Sequence, residues 1–265
     1  MFAAVVGASL PYQILTFVIV ALGWELFARN TGGVLIPSFF DTMGGLWSLV
    51  QDRRLWEALA TSNIALALGY FIAIPVGIPA GLAMGRFPGI ERFADVYISI
   101  LLVTPMAALL PIIMMAVGIT MTAQVIVIFI FTVVILVVNA RAGVRQVDPS
   151  LVEMARSCGA TELEVWRHIL LPGALPAIMT GVRIGIGRAF TGMVIVELLL
   201  VPAGVGGLIL DFRGFFQGDL LYATVIMIVA EALILISFAE WLERKLTPWN
   251  LVRQNDKSLS AKTTE

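Results

Sequence analysis

Six stretches of mainly apolar residues, each about as long as a helix that crosses a bilayer, constrain this sequence more than any other feature. A helix needs roughly 20 apolar residues to cross about 30 Å of hydrocarbon. Because backbone amides and carbonyls find no water in lipid, a spanning segment of this kind is expected to be helical. The predicted spans are Pro11 to Ala28, Ser62 to Met84, Ala94 to Val117, Thr122 to Asn139, Pro172 to Val201 and Leu221 to Trp241. The sequence therefore predicts an all-α membrane protein with six transmembrane helices.

The composition agrees with a membrane protein and excludes other classes. Of the 265 residues, 59% are hydrophobic and 13% are charged, which is more apolar surface than a soluble core of this size could bury. The net charge of −1 and the lack of a basic domain exclude a nucleic-acid-binding protein. The single cysteine, Cys158, cannot form an intramolecular disulfide. The first apolar stretch, from Phe2, lacks a basic leader and is longer than a signal-peptide core, so we interpret it as a retained helix.

The basic residues predict the orientation of the chain. With a cytoplasmic N-terminus, eleven of them fall in cytoplasmic loops and the tail, and four fall in outer loops. The eleven are Arg86, Arg92, Arg141, Arg145, Arg156, Arg167, Arg244, Lys245, Arg253, Lys257 and Lys262, and the four are Arg29, Arg53, Arg54 and Arg213. Since cytoplasmic loops carry the excess of Lys and Arg, we expect both termini on the cytoplasmic side.

Two segments outside the spans have their own patterns. Apolar residues at mostly helical spacing between Pro37 and Leu59 predict an interfacial helix on the outer surface. Residues 250–265 are polar and rich in Lys, Ser and Thr, which is typical of a disordered tail. We therefore divide the chain into a transmembrane domain, residues 1–249, and a polar cytoplasmic tail, residues 250–265.

The loop of about residues 141–171 is long and charged, unlike the other cytoplasmic connections. Asp148 before Pro149 is a good N-cap and first-turn pair, and Gly159 suits a left-handed C-terminal cap. Thr161 and Glu164 have the spacing of a capping box, which opens a second helix. The pattern predicts a cytoplasmic helix-turn-helix, with the second helix ending before Pro172.

A rigid, partly apolar helical pair of this kind is suited to insertion into a groove on a partner, so that movement of one is transmitted to the other. It is equally consistent with a well-capped connection between two spans, because helix caps are common.

The residues of this loop resemble a known motif. Glu153-Met154-Ala155, then Gly159, Ile169 and Leu171-Pro172, have the spacing of the EAA motif of binding-protein-dependent ABC transporter permeases. Met154 stands where that motif usually has alanine.

Nearly the whole chain resembles the nitrate, sulfonate and taurine branch of that family. Three stretches carry the resemblance: Leu171-Pro172-Gly173-Ala174-Leu175-Pro176 continued by Gly181 to Arg188, Gly204-Val205-Gly206-Gly207-Leu208-Ile209, and Leu246-Thr247-Pro248-Trp249. In one place the chain departs from the branch, because Met115-Ala116-Val117-Gly118-Ile119 replaces a Trp-Phe-Gly-Ile-Gly-like element. The resemblance and Arg188 favour a small anion such as a sulfonate or nitrate, while related permeases carry pyrimidine precursors and aromatic acids.

The resemblance implies an ABC importer permease of the bacterial inner membrane that works by alternating access. It implies a homodimer of permeases, two cytoplasmic ATP-binding subunits that grip the loop, and an extracytoplasmic substrate-binding protein. The coupling residues that it implies are Glu153, Ala155, Gly159, Ala160, Trp166, Ile169, Leu171 and Pro172. ATP and Mg²⁺ are expected in the partner subunit, and this chain is expected to be non-catalytic. In agreement, the sequence contains no Gly-x-x-x-x-Gly-Lys-Ser/Thr phosphate loop.

Charged residues within the spans are candidates for the translocation path. Arg188 is expected about 24 Å beyond Pro172 along the helix, well inside the membrane. It either attracts an anion on the path or forms a structural ion pair or snorkels, and Arg183 is expected to snorkel. Glu197 can line the outer gate, meet another helix or be solvated near the outer end of its span, and Glu231 is a candidate buried acid.

Prolines and glycines within the spans have structural and functional interpretations. Pro105 and Pro111 can kink a span and act at a gate, or can simply be tolerated there. Five glycines at four-residue spacing, which make smooth helix faces for packing within one chain or between two, are Gly77, Gly81, Gly85, Gly181 and Gly185.

Two other functional classes were weighed. An intramembrane enzyme is not indicated, since the sequence has neither Gly-x-Ser-x-Gly nor His-Glu-x-x-His, and its single histidine is His168 in the loop. A secondary transporter or channel that needs no ATPase is the stronger alternative, because such proteins also combine many spans with sparse intramembrane charges.

Overall fold

The structure, a computed structural model, describes residues 2–30 and 36–246, with the side chains of these residues except 2–11, 13 and 14. The described residues form α-helices joined by short turns. They are α1 (Phe2–Asn30), α2 (Phe39–Gln51), α3 (Arg53–Arg86), α4 (Pro88–Val103), α5 (Met106–Val117), α6 (Met121–Arg145), α7 (Pro149–Ser157), α8 (Glu162–Val165), α9 (Leu171–Leu199), α10 (Gly204–Gly214) and α11 (Gly218–Leu246), with a π-helical turn (Trp166–Leu170) between α8 and α9. The expected all-α class is confirmed. The predicted polar tail lies outside the described residues.

Four helices of the described chain are long and apolar enough to cross a membrane: α3, α6, the continuous helix Glu162–Leu199, and α11. The pair α4 and α5 becomes a fifth span if it is counted as one broken helix. The first predicted span lies within α1, where several side chains are outside the described set. The count of six therefore stays a prediction.

The predicted third span, Ala94 to Val117, is wrong as a continuous helix. The chain leaves the helical conformation at Thr104 and Pro105, with ψ of 127° and 102°, and α4 and α5 meet at a bend of 102°. The ring of a proline disfavours the helical conformation of the residue before it, so the break falls at Thr104. Pro111, by contrast, is accommodated inside α5.

The predicted interfacial helix between Pro37 and Leu59 is also divided. It consists of α2 and the first turns of α3, separated by Asp52 in an extended conformation. The side chain of Asp52 accepts hydrogen bonds from the backbone amide and from Nε of Arg54, both at 2.9 Å. This local capping favours a new helix start at Arg53 over continuation of α2.

The described residues divide into two compact units, one of residues 2–30, 36–61 and 202–230 and the other of residues 62–201 and 231–246. In the first unit, the ring of Trp24 lies 5.8 Å from the rings of both Phe39 and Tyr222. Its indole nitrogen donates to the carbonyl of Pro37 at 3.1 Å. α2 approaches the start of α11 closely, since a Cβ added at Gly45 would lie 3.0 Å from the carbonyl oxygen of Asp219.

In the second unit, α6 is the central helix, and glycines allow α3 and α9 to pack closely against it. Added Cβ atoms at Gly77, Gly81 and Gly85 of α3 would lie 2.7–2.8 Å from Cβ of Leu136, Ala140 and Val144 respectively. On α9, an added Cβ at Gly181 would lie 2.6 Å from Cβ of Asn139, and one at Gly185 would make ordinary contacts from 3.5 Å. Within this chain, therefore, these glycines face a neighbouring helix of the same unit.

We predict that Gly81→Ala lowers the free energy of unfolding by about 1–3 kcal/mol, because the new methyl group must displace α3 from α6. The matched control is Gly89→Ala in α4, where an added Cβ meets nothing within 4 Å. Thermal unfolding in detergent should show a lower midpoint for Gly81→Ala and an unchanged or higher one for Gly89→Ala. Equal midpoints for the two variants would contradict the close packing of α3 and α6.

Candidate functional site

The first helix of the loop, α7, is closed at both ends by local hydrogen bonds. Asp148 is its N-cap, and its carboxylate accepts from the amide of Ser150 at 2.9 Å. At the other end Gly159 has a φ of +81°, and the amide of Ala160 donates to the carbonyl of Ala155 at 3.0 Å. A Cβ at Gly159 would meet nothing within 4 Å, so the backbone conformation rather than space requires glycine here.

The second helix, α8, begins with the capping box that the sequence predicts. The amide of Thr161 donates to the carboxylate of Glu164 at 2.7 Å, and the amide of Glu164 donates to the Thr161 hydroxyl at 3.4 Å. Two amides that the helix leaves without partners are thereby satisfied.

The expected end of this helix before Pro172 is wrong. After one turn of α8, the chain forms a π-helical turn from Trp166 to Leu170 and continues into α9 without interruption. The amide of Leu171 donates to the carbonyl of Trp166, five residues earlier. The wider turn gives room for the ring of Pro172. In a regular α-helix this ring would clash with the carbonyl of the residue four positions earlier.

Below the loop lies an apolar cluster that joins it to α6 and α9. Its buried members are Ala140, Val144, Val165, Leu170, Ala174 and Ile178. Three of the predicted coupling residues, Ala155, Ala160 and Trp166, pack partly buried against this cluster. Ile169 is half-buried, while Glu153, Gly159, Leu171 and Pro172 are exposed.

The loop also presents apolar side chains away from the cluster. Leu151, Met154 and Leu163 are 45%, 59% and 76% exposed. An exposed set of this kind, on helices that are rigidly capped, is a candidate contact surface for another protein.

Glu162, the first residue of α8, joins three helices. Its carboxylate accepts from Arg156 of α7, and both its oxygens accept from Nη2 of Arg86 of α3, at 3.0 and 2.9 Å. These hydrogen bonds hold the pKa of Glu162 below its usual range, and the bond from Arg156 has the largest effect. Sequence reasoning did not predict the ion pairs among Arg86, Arg156 and Glu162. The available signal was that Arg86 and Glu162, of opposite charge, lie near the ends of predicted helices.

Two other carboxyls of the loop have lowered pKa values. The pKa of Asp148 is lowered chiefly by the hydrogen bond from the Ser150 backbone. The pKa of Glu164 is lowered chiefly by the hydrogen bond from the Thr161 backbone. Each of these bonds favours the ionised form.

The break between α4 and α5 borders a cavity of about 370 Å³. Thr104 and Pro105 line it from the break, Phe131 from α6, and Arg188 and Thr191 from α9. The structure thus brings together two of the predicted path residues, Pro105 and Arg188. The polar groups Thr104 and Thr191 were missed by sequence reasoning, although a Thr-Pro pair within an apolar span was a signal.

Arg188 also borders a second cavity, of about 380 Å³, on the side of α11. Among the described residues it forms no ion pair, whereas Arg183 pairs with Glu240 at 3.3 Å and Glu243 at 3.1 Å. Arg188 therefore borders both cavities without a carboxylate partner among the described residues.

The two predicted acids lie elsewhere in the second unit. Glu197 is fully buried and accepts a hydrogen bond from the Ser62 hydroxyl at 2.6 Å, so the expectation that it is simply solvated is wrong. Glu231 accepts from the side-chain amide of Asn63. Neither acid lines the two cavities, and nor does Pro111. The missed signal was the polar pair of residues 62 and 63 at the start of an apolar span.

Comparisons with known proteins show similarity over most of the chain. Residues 73–248 match the family described as binding-protein-dependent transport system inner membrane component. The taurine transport system permease protein TauC of Escherichia coli (strain K12) is 34% identical over 200 residues, which cover 76% of this chain and 73% of that protein. The putative aliphatic sulfonates transport permease protein SsuC of the same strain is 32% identical over 86% of this chain and 87% of its own length. The nitrate import permease protein NrtB of Leptolyngbya laminosa is 25% identical over 91% and 88%.

The fold is similar to that of a solved structure, the MetNI methionine ABC transporter in an inward-facing conformation. The TM-score is 0.60 at 20% identity, and the match covers 76% of this chain and 97% of that chain. This likeness supports the helical architecture.

We predict that acidification loosens the loop. Ordinary pKa values are about 3.9 for Asp and about 4.3 for Glu, and those of Asp148, Glu162 and Glu164 are lower in the folded loop. Their stabilisation is therefore fully present above these ordinary values and is lost as the pH falls through the lowered ones. Hydrogen exchange, corrected for the intrinsic pH dependence, should show protection of α7 and α8 falling below about pH 4 while the centre of α6 stays protected.

The control is Glu164→Gln, which keeps a capping side chain but removes one titrating group. Its loop should lose less protection on acidification than the wild-type loop. Unchanged protection of α7 and α8 through the acid range would contradict the electrostatic part of this account.

Proposed function

The chain belongs to the family of binding-protein-dependent transport system inner membrane components and is a permease subunit of an ABC importer. We propose that it forms the path for a small anion in a complex driven by two ATPase subunits. The complex contains two copies of this chain and an extracytoplasmic binding protein. Both termini lie in the cytoplasm, and ATP and Mg²⁺ are held by the ATPases.

The observation that carries the coupling role is the loop of α7 and α8. It is anchored below by the apolar cluster and presents Leu151, Met154 and Leu163 on the opposite side. A groove on each ATPase subunit receives this exposed surface, in the way that an amphipathic helix is held by its apolar side chains. Closure of the ATPases displaces the loop, and the continuous helix from Glu162 to Leu199 carries that displacement into the membrane.

The observation that carries the anionic substrate is the cavity at the break between α4 and α5. The polar residues among its lining are Arg188, Thr104 and Thr191, and the other lining residues are apolar. Non-helical backbone at membrane depth is tolerated where it lines a cavity, and transporters place such broken helices at their substrate sites. A sulfonate or nitrate offers oxygen acceptors for the guanidinium, and relatives of this chain are named for taurine, sulfonates and nitrate.

We predict that Gly159→Arg prevents co-purification of the ATPase and ATP hydrolysis by the complex. The backbone of Gly159 has a φ of +81°, and this conformation costs an ordinary L-residue about 1–2 kcal/mol. We therefore expect the turn between α7 and α8 to rearrange. The test is co-expression with the ATPase followed by purification in detergent. Gly159→Asn is the matched control, since asparagine tolerates this conformation, and it should retain the ATPase.

Loss of the ATPase in Gly159→Arg alone supports the coupling role. If the wild-type chain retains no ATPase, the proposed coupling of this loop to two ATPase subunits fails. If Gly159→Arg retains full ATP hydrolysis, the loop is only a connection between spans.

We predict that Arg188→Gln lowers uptake of taurine by about tenfold or more, because a charged hydrogen bond to the sulfonate group is removed. The measurement is uptake by proteoliposomes that contain the permease, its ATPases and its binding protein. Arg188→Lys is the control, because it keeps the charge and should retain most of the uptake. Equal uptake by the wild type and Arg188→Gln, with ATP hydrolysis unchanged, would remove Arg188 from the path.

A further inference from the structure

We propose that Arg86 is a positioning residue whose contact with Glu162 attaches α3 to the coupling loop, so that displacement of the loop is passed directly to α3. The coupling loop is here the segment of α7 and α8. This inference rests on the proposed function, since it concerns how a movement imposed by the ATPases is distributed among the spans.

The contact joins the ends of two elements. Arg86 is the last residue of α3, and Glu162 is the first residue of α8. Both carboxylate oxygens of Glu162 accept from Nη2 of Arg86, at 3.0 and 2.9 Å. The side chain of Arg86 is only 23% exposed and lies over the ring of Phe87, with 5.8 Å between its guanidinium carbon and the ring centre. Its position is thus fixed from two sides.

The π-helical turn explains why α8 needs this second attachment. The turn from Trp166 to Leu170 directly follows α8, and it interrupts the regular ladder of α-helical hydrogen bonds. A turn of this kind is a place where a helix can bend. The apolar cluster holds the C-terminal end of α8 through Val165, while Glu162 at the other end is held by ion pairs. Without Arg86, the start of α8 keeps only its ion pair with Arg156, which belongs to the same loop, so α8 can pivot at the turn and absorb part of the displacement.

α3 carries a displacement from one end of the unit to the other. Ser62 and Asn63 lie about 36 Å from Arg86 along this continuous helix. Ser62 donates to the buried Glu197 of α9, and Asn63 donates to Glu231 of α11. A shift of α3 at Arg86 therefore reaches the points where α3 is hydrogen-bonded to α9 and α11.

A matched pair of variants separates this role from stability of the loop. Arg86→Ala and Arg156→Ala each remove one arginine from Glu162. Arg156 belongs to α7, so its ion pair lies within the coupling loop, whereas that of Arg86 leaves the loop for α3. Of the two variants, only Arg86→Ala removes an ion pair between the coupling loop and α3, while the apolar packing of α3 against α6 is kept in both.

The experiment uses the complete permease–ATPase complex, with a nitroxide label at Ile64→Cys in a Cys158→Ser background. Ile64 is an exposed residue of α3 beside Ser62 and Asn63. The accessibility of the label to a water-soluble relaxation agent is measured without nucleotide and after trapping with Mg-ATP and vanadate. We expect a nucleotide-dependent change in the wild type, a change about fivefold smaller in Arg86→Ala, and a wild-type change in Arg156→Ala and Arg86→Lys.

The other outcomes overturn the inference. It fails if Arg86→Ala keeps the full change, if Arg156→Ala loses as much as Arg86→Ala, or if the wild type shows no change at the label. It also fails if Arg86→Ala no longer binds the ATPase, because Arg86 then serves assembly. If the wild-type chain binds no ATPase, the result is a different one, because it contradicts the proposed function itself.

Discussion

Every other property of this protein depends on the lack of water in the hydrocarbon core of the membrane. Backbone amides and carbonyls there must bond to each other, so the chain is built of helices. Among the described residues, the break within a predicted span at Thr104 and Pro105 lies against a cavity that Arg188 and Thr191 also line. Non-helical backbone at membrane depth is tolerated where it lines a cavity, so the break occurs at a place where the constraint is relaxed.

The same constraint governs how the helices meet. Lipid offers no hydrophobic drive for association, so contact depends on close packing and on polar pairs. The glycines of α3 and α9 bring two helices against α6. Ser62 satisfies the carboxylate of Glu197 where that group is fully buried. α3 therefore serves both as a close-packed partner of α6 and as the donor of hydrogen bonds to two acids.

The helix caps of the loop could be predicted from the sequence, whereas contacts between distant residues and the effects of single prolines could not. The caps of α7 and α8 depend on residues within a few positions, so Asp148, Gly159, Thr161 and Glu164 predicted them. The burial of Glu197 depends on Ser62, far away in the chain, and no local pattern reports such a partner. The break before Pro105 could have been predicted, because a proline disfavours the helical conformation of the residue before it. Pro111, six residues later, does not interrupt its helix. Apolar spacing alone cannot separate these two prolines, since packing decides which kink is tolerated.

The shape of the coupling loop has a mechanical consequence. A helix of nine residues is too short to be stable by itself, so α7 owes its order to its caps, to the apolar cluster and to the ion pair between Arg156 and Glu162. These contacts form within the chain, before any partner arrives. A partner that binds Leu163 and Met154 then spends none of its binding energy on folding the loop. A preformed loop moves as a rigid body when a partner displaces it. The proposed coupling needs this property, because closure of the ATPases is to change the translocation path of the permease.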